Sequence, residues 1–255
     1  EQEHTNGIPV VARLLDWAKE PQAKSVFAIL GEYGMGKTIS CQLFDKQLRS
    51  LLTQNKLLPV PLYFDLRHVT SKTLADGFHF PDIIKDCIRF GWLKSDSSEE
   101  FTTSDIERWA NQSGVVLIFD GLDEVLVKIS ESDGRIFTDQ LYKFQAELKA
   151  NSKQPVKMLL TCRSQYFKTL DRQKDHFTGQ ERGGVSADDI EAMVMLPLTE
   201  EQITNYLRHA LPGIDPATII DMVKSVHDLH DLSKRPFTLK LVGEFFPALE
   251  EDRKA

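Results

Sequence analysis

Gly31-Glu32-Tyr33-Gly34-Met35-Gly36-Lys37-Thr38 is the stretch on which the reading of this chain turns. It has the form GxxxxGK[ST]. It follows an apolar run, Ser25–Leu30, and opens an amphipathic one in which Phe44, Leu48, Leu51 and Leu52 recur at helical spacing. Strand, glycine-rich loop, helix is the context that gives this pattern chemical meaning. The glycines let successive backbone N–H groups turn inward around phosphate oxygens, and the positive end of the next helix adds to the attraction. Lys37 carries a compact charge that reaches β- and γ-phosphates, and the Thr38 hydroxyl suits Mg²⁺. The candidate nucleotide cradle is therefore Gly31, Glu32, Tyr33, Gly34, Met35, Gly36, Lys37, Thr38 and Ile39. The plain alternative, a strand-to-helix turn with an accidental lysine, does not account for both flanking elements.

Working outward, five apolar runs read as buried strands: Ser25–Leu30, Val60–Asp65, Val115–Phe119, Val156–Thr161 and Glu191–Leu196. Longer amphipathic stretches separate them, one being the Phe137, Leu141, Phe144, Leu148 stripe. That alternation predicts an α/β three-layer sandwich around a mostly parallel five-stranded sheet. Ser104-Asp105-Ile106-Glu107 has the form of a capping box, and so does Thr199-Glu200-Glu201-Gln202. From Thr199 the pattern is helical only, with breaks expected at Leu211-Pro212-Gly213, near Ser233–Pro236 and at Pro247. The expected organisation is an α/β nucleotide-binding domain over 1–198 and a small helical lid over 199–255. The last residues, Glu250-Glu251-Asp252-Arg253-Lys254-Ala255, continue a charged helical pattern. They read either as a cut through a longer protein or as a polar tail. Two polar stretches, 95–104 and 171–187, read as mobile loops.

The third run passes directly into Asp120-Gly121-Leu122-Asp123-Glu124. Asp120, at the tip of a buried strand, is the candidate second Mg²⁺ contact beside Thr38. Asp123 and Glu124 follow where a carboxylate can orient or deprotonate an attacking water. Three carboxylates in five residues repel one another, which itself points to a cation. The fourth run ends Thr161-Cys162-Arg163, bringing Arg163 to the ligand side of a parallel sheet, where its planar fork fits a γ-phosphate. An ion pair from Arg163 to Asp123 or Glu124 is the structural alternative. Arg235-Pro236-Phe237 fits either a base contact or a helix opening at Pro236.

Taken in order, these pieces resemble the NACHT branch of the STAND class of P-loop NTPases. The phosphate loop matches at Gly31, Gly36, Lys37 and Thr38, and the family's Asp-Gly-x-Asp-Glu strand end matches at Asp120, Gly121, Asp123 and Glu124. Thr161 and Arg163 resemble its first sensor strand. Met195–Gln202 resembles the junction into its helical lid. Pro236 takes the place of the lid's base-contacting proline, although Ser233-Lys234-Arg235-Pro236 departs from the usual Gly-x-Pro or Asn-Pro form. The resemblance covers roughly residues 8–245 and implies an ATP/ADP switch. In such a switch ADP holds a closed monomer, exchange for ATP drives homo-oligomerisation, and slow Mg²⁺-dependent hydrolysis resets it. Lys37, Asp123, Glu124 and Arg163 would then carry the chemistry. The family's effector, winged-helix and sensor domains are not in this sequence. Bacterial anti-phage proteins and animal NOD-like receptors belong to this family.

Composition narrows the alternatives. The chain has 255 residues, with 31 Lys+Arg against 38 Asp+Glu, a net charge of −7. No basic excess exists to displace counterions, so direct nucleic-acid binding is not expected. The three cysteines, Cys41, Cys87 and Cys162, have no metal-ligand spacing and fit a reducing compartment. No apolar stretch approaches membrane-spanning length, and no signal peptide opens the chain, so a cytoplasmic location is expected. Asn55-Lys56 lacks the aspartate of a guanine-specifying motif, and no Leu-Ser-Gly-Gly precedes Asp120. An AAA+-like remodelling ATPase and a nucleotide-binding module without useful turnover stay open. His227 and His230 lie on one helical stretch without further ligands. Trp17, Trp92 and Trp109 read as core or interface anchors. Lys143, Lys149, Lys153 and Lys157 read as one solvated face.

Overall fold

A computed structural model describes residues 7–91, 101–166, 189–225 and 229–254. The stretches 95–100 and 171–187, Trp92 and His227 lie outside the described residues. The chain divides into two compact units, one of Ile8–Gly31 with Lys37–Val194, the other containing Glu32–Gly36 and Met195–Ala255.

The first unit begins with α1 (Val10–Lys19), β1 (Val26–Leu30), α2 (Lys37–Gln54) and β2 (Val60–Asp65). A 3₁₀ turn (Leu66–His68), α3 (Ser71–Ala75), α4 (Phe80–Gly91), α5 (Thr103–Ser113) and β3 (Val115–Asp120) come next. It closes with α6 (Leu122–Leu126), α7 (Glu131–Asn151), β4 (Val156–Cys162) and β5 (Ile190–Val194). The strands lie in the order β2-β3-β4-β1-β5, every pair parallel. Right-handed crossovers put helices on both faces of such a sheet, which is why its inner strands are apolar at nearly every position. β1, β3 and β4 are buried throughout. β5 departs from the expected fifth buried strand. Among the described residues it has a neighbour on one side only, and its residues are half-buried or exposed.

One face of the sheet (Ala28, Leu117, Phe119, Met158 and Leu160 among others) packs with Ile84, Ile106 and Phe137 from α4, α5 and α7. On the other, Phe27 meets Trp17 of α1 edge-on at 5.5 Å, and Trp17 lies 6.5 Å from Phe44 of α2. Lys157 belongs to this second face and corrects the expectation of a solvated lysine. The strand period of two turns it inward, and it is only 2% exposed. Its ammonium donates to the carbonyls of Trp17, Ala18 and Glu20. These cap the end of α1, where the helix has run out of N–H partners. Burial draws its pKa down to about 8. Lys143, Lys149 and Lys153 are exposed as expected.

The box at α5 is also displaced. Thr102, not Ser104, is the N-cap, and the Asp105 carboxylate accepts from the Thr102 N–H at 2.8 Å. Thr102-x-x-Asp105 satisfies the same spacing with a shorter carboxylate, so the helix starts before Ser104 is reached.

In the second unit, α8 (Glu200–Ala210), α9 (Pro216–Ser225), α10 (Leu229–Ser233) and α11 (Pro236–Lys254) enclose Ile203, Leu207, Ile219, Val223, Leu239 and Phe246. Thr199 and Gln202 form the expected reciprocal cap. Pro247 does not break α11. An interior proline costs about 3 kcal/mol, and burial of Leu239 and Phe246 in the preceding turns offsets it. Among the described residues no helix is long and apolar enough to cross a membrane.

Candidate functional site

The C-terminal ends of β2, β3 and β4 assemble the acidic side of the site. Phe119 pairs with Leu160, so the next step along the sheet brings Asp120 beside Thr161. The Thr161 hydroxyl donates to Asp120 Oδ1 and accepts from the Gly121 N–H at 2.7 Å. From the other flank, Tyr63 pairs with Ile118 and reaches one pleat further, its hydroxyl donating to Asp120 Oδ2 at 2.8 Å. Asp120 is 1% exposed, and both donors are neutral. Each carboxylate oxygen has two lone pairs, so this pinning leaves acceptor capacity on both. The Tyr63 hydroxyl is held far above its ordinary pKa, first by burial and then by the charge and hydrogen bond of Asp120.

Asp123 and Glu124 occupy the first turn of α6. Asp123 is buried and accepts from Arg163 Nε at 2.8 Å, which realises the ion-pair alternative for that arginine. Glu124 is half-buried, and its N–H donates to the Gly121 carbonyl at 3.0 Å. The three carboxylates do not converge on one point. Among the described residues no group of three or more His, Cys, Asp or Glu converges on a metal position. Their repulsion is relieved separately, by two hydroxyls at Asp120 and a guanidinium at Asp123.

Lys37 opens α2, and its ammonium donates to the Gly31 carbonyl at 2.7 Å across the base of the loop. Burial and then Asp120 push the Cys41 thiol up while Lys37 pulls it down. Cys162 is pushed up to about 12, chiefly by burial and then by Asp123, against the pull of Lys37 and Arg163. Lys37 and the two acidic groups thus act in opposite directions on the same two buried thiols. Thr38 follows it in the first turn of α2. The Thr38 hydroxyl and Asp120 carboxylate are oxygen donors that suit Mg²⁺, which keeps several of its own waters and needs no all-protein cage.

The middle of the phosphate loop groups with the helical unit. Gly34 and Gly36 have φ of 79° and 91°, a backbone that side chains other than glycine rarely adopt. A Cβ on Gly34 would sit 3.2 Å from Cβ of Phe237, whose N–H donates to the Gly34 carbonyl at 3.1 Å. The Tyr33 and Phe237 rings meet edge-on at 5.8 Å. Pro236 opens α11, and its Cγ lies 3.9 Å from where a Gly36 Cβ would be. Glu32 is exposed and Met35 buried; Ile39, back in the sheet unit, is exposed.

Tyr63, Asp65 and Arg67 do not stand out in the sequence alone. The signal that could have found them is a repeat: Phe64-Asp65 closes β2 as Phe119-Asp120 closes β3, with a tyrosine interrupting an otherwise apolar run.

A family model described as the NACHT domain matches residues 25–213, most of the chain and all of the sheet. This chain belongs to the NACHT family. It is accordingly the core of a P-loop NTPase. An uncharacterized WD repeat-containing protein of Nostoc sp. is 24% identical over 248 residues, covering 92% of this NACHT chain and 14% of the relative. The ORC1 protein of Aeropyrum pernix, solved in complex with DNA, superposes with a TM-score of 0.55 at 16% identity, over 96% of this chain and 60% of that one. The ORC2 protein of the same organism, solved as ADPNP–ADP complexes, gives 0.53 at 13%, over 91% and 58%. These likenesses establish the fold. The chain spans about one seventh of the curated relative and under two thirds of either solved chain.

Proposed function

We propose that this chain is the ATP/ADP-binding core of a switch protein of the STAND type, in which slow hydrolysis governs homo-oligomerisation of a longer protein. The role we favour is signalling in innate, anti-phage defence. The observation that carries the nucleotide reading is a buried carboxylate at the end of β3, Asp120, whose hydrogen-bond partners among the described residues are hydroxyls. A triphosphate brings a cation that this carboxylate can meet, and Lys37 supplies a charge for the phosphates.

In this reading the loop N–H groups from Gly31 to Ile39 hold the phosphates and Lys37 moves from the Gly31 carbonyl onto them. Thr38 and Asp120 are the protein ligands of Mg²⁺, which when bound neutralises phosphate charge. Glu124, with Asp123, orients the attacking water. Arg163 fixes Asp123 and answers to the γ-phosphate. Within the helical unit, Pro236 offers an apolar contact for adenine.

Lys37→Ala tests the site directly. A charge-assisted contact is worth about 1.5–3 kcal/mol, so affinity for fluorescent ATP should fall roughly 10–150-fold. Unchanged affinity would displace the site. Multiple-turnover phosphate release by the purified chain distinguishes a switch with turnover from a module that only binds.

A further inference from the structure

We propose that Tyr63 is a positioning residue for the divalent cation, acting through Asp120. This rests on the nucleotide reading of the site and adds to it a residue from a strand outside both motifs. β2 is separated from the phosphate loop by the whole of α2, and its register partner opposite Tyr63 is Ile118, not Asp120. The tyrosine hydroxyl therefore spans a diagonal to reach Oδ2 at 2.8 Å, while Thr161 holds Oδ1 from the opposite strand. One donor on each flank fixes the torsion of the carboxylate and leaves a free lone pair on each oxygen.

A tyrosine that merely satisfied its own hydroxyl would need no carboxylate, since water or a carbonyl serves as well. Here the acceptor is a charge 1% exposed, and its hydrogen-bond partners among the described residues are hydroxyls. In the next strand the register neighbour Asp65 takes a guanidinium instead. Neutral donors orient a carboxylate without cancelling its charge, which is the requirement for a residue that must later meet a cation. Groups that orient a metal ligand in this way typically contribute 10–100-fold to metal affinity.

The test uses the full chain with ADP and Mn²⁺, the cation being read by its electron paramagnetic resonance signal. Tyr63→Phe removes one oxygen and keeps the ring. Its binding of fluorescent ADP in EDTA should match the unmodified protein, while its Mn²⁺ affinity in the presence of ADP falls about 10–100-fold. Tyr63→His, with a shorter ring donor, is the second variant and should lose part of that affinity. Tyr142→Phe, at a buried tyrosine of α7, removes a hydroxyl elsewhere and should leave Mn²⁺ binding unchanged. Equal Mn²⁺ affinity in the unmodified protein and both Tyr63 variants overturns the inference and leaves the nucleotide reading intact. An equal loss of ADP binding with and without Mn²⁺ also overturns it, because Tyr63 would then serve the fold. An unmodified protein that binds neither ADP nor Mn²⁺ overturns the nucleotide reading and this inference together.

Discussion

β2 and β3 end alike and then part. Both close on Phe-Asp, paired in register as Phe64 with Phe119 and Asp65 with Asp120, the two rings stacked 5.3 Å apart. After Asp65 the chain continues Leu66-Arg67-His68; after Asp120 it continues Gly121-Leu122-Asp123-Glu124. The first end neutralises itself. Arg67 clasps the Asp65 carboxylate through Nε and a terminal nitrogen, its N–H caps the turn on the same group, and His68 stands 3.8 Å away. The second end gathers negative charge and answers part of it with hydroxyls. Two aspartates at matching positions in one sheet thus do different work. The residues just beyond each strand go with whether its terminal charge is met by a guanidinium or by hydroxyls.

The largest expected effect comes from breaking the acidic continuation of β3. Asp123→Ala with Glu124→Ala should lower single-turnover hydrolysis by about 10²–10⁴, the usual range for losing a water-orienting base, while nucleotide binding persists. Asp123 is already bound to Arg163, so Glu124→Gln alone should account for the larger share. Hydrolysis at the unmodified rate in the double variant would leave neither residue catalytic.

The next effect separates the twin aspartates. Asp120→Asn should abolish the strengthening of fluorescent ADP binding by Mg²⁺, a loss at least as large as the roughly 10–100-fold typical of removing an orienting partner. Asp65→Asn should leave that strengthening intact. If both variants respond alike, the hydroxyl-held and guanidinium-held carboxylates are equivalent toward cations, and the comparison fails.

This contrast also marks where sequence reading succeeds and stops. The loop, the inner strands and Asp120 are legible because a parallel strand buried on both faces is apolar along its length, so a terminal aspartate stands out. Tyr63 is not, since its hydrogen bond to Asp120 exists only once β2 and β3 are placed side by side. Lys157 escapes for the same reason. Its acceptors are carbonyls of α1, some 140 residues away, and no local pattern announces them. Thr102 and Pro247 mislead for local reasons, a shorter capping carboxylate in one case and core burial outweighing a proline in the other. Glu124 and Asp123 stand out together, but adjacency in sequence gives no sign that Asp123 is tied to Arg163.

The smallest effect tests what the Asp65 charge does. Burial pushes its carboxyl up, but the hydrogen bonds and charge of Arg67 outweigh that and hold it below the ordinary range. A carboxyl whose folded-state pKa is depressed adds stability that is full above its unfolded-state pKa, about 3.9. That stability is lost as pH falls through the folded-state value. Asn at position 65 keeps an oxygen able to cap the Arg67 N–H, so Asp65→Asn isolates the charge. Arg67 is half exposed, which limits the pair to about 1 kcal/mol. In a domain of this size that corresponds to a Tm lower by roughly 2–4 °C at neutral pH. The difference from the unmodified protein should hold steady down to about pH 5 and then close, because below the folded-state pKa both side chains are uncharged. Thermal unfolding across that range is the measurement. A Tm difference independent of pH would mean that Asp65 acts through shape alone, and that β2 differs from β3 in geometry rather than in how it disposes of its charge.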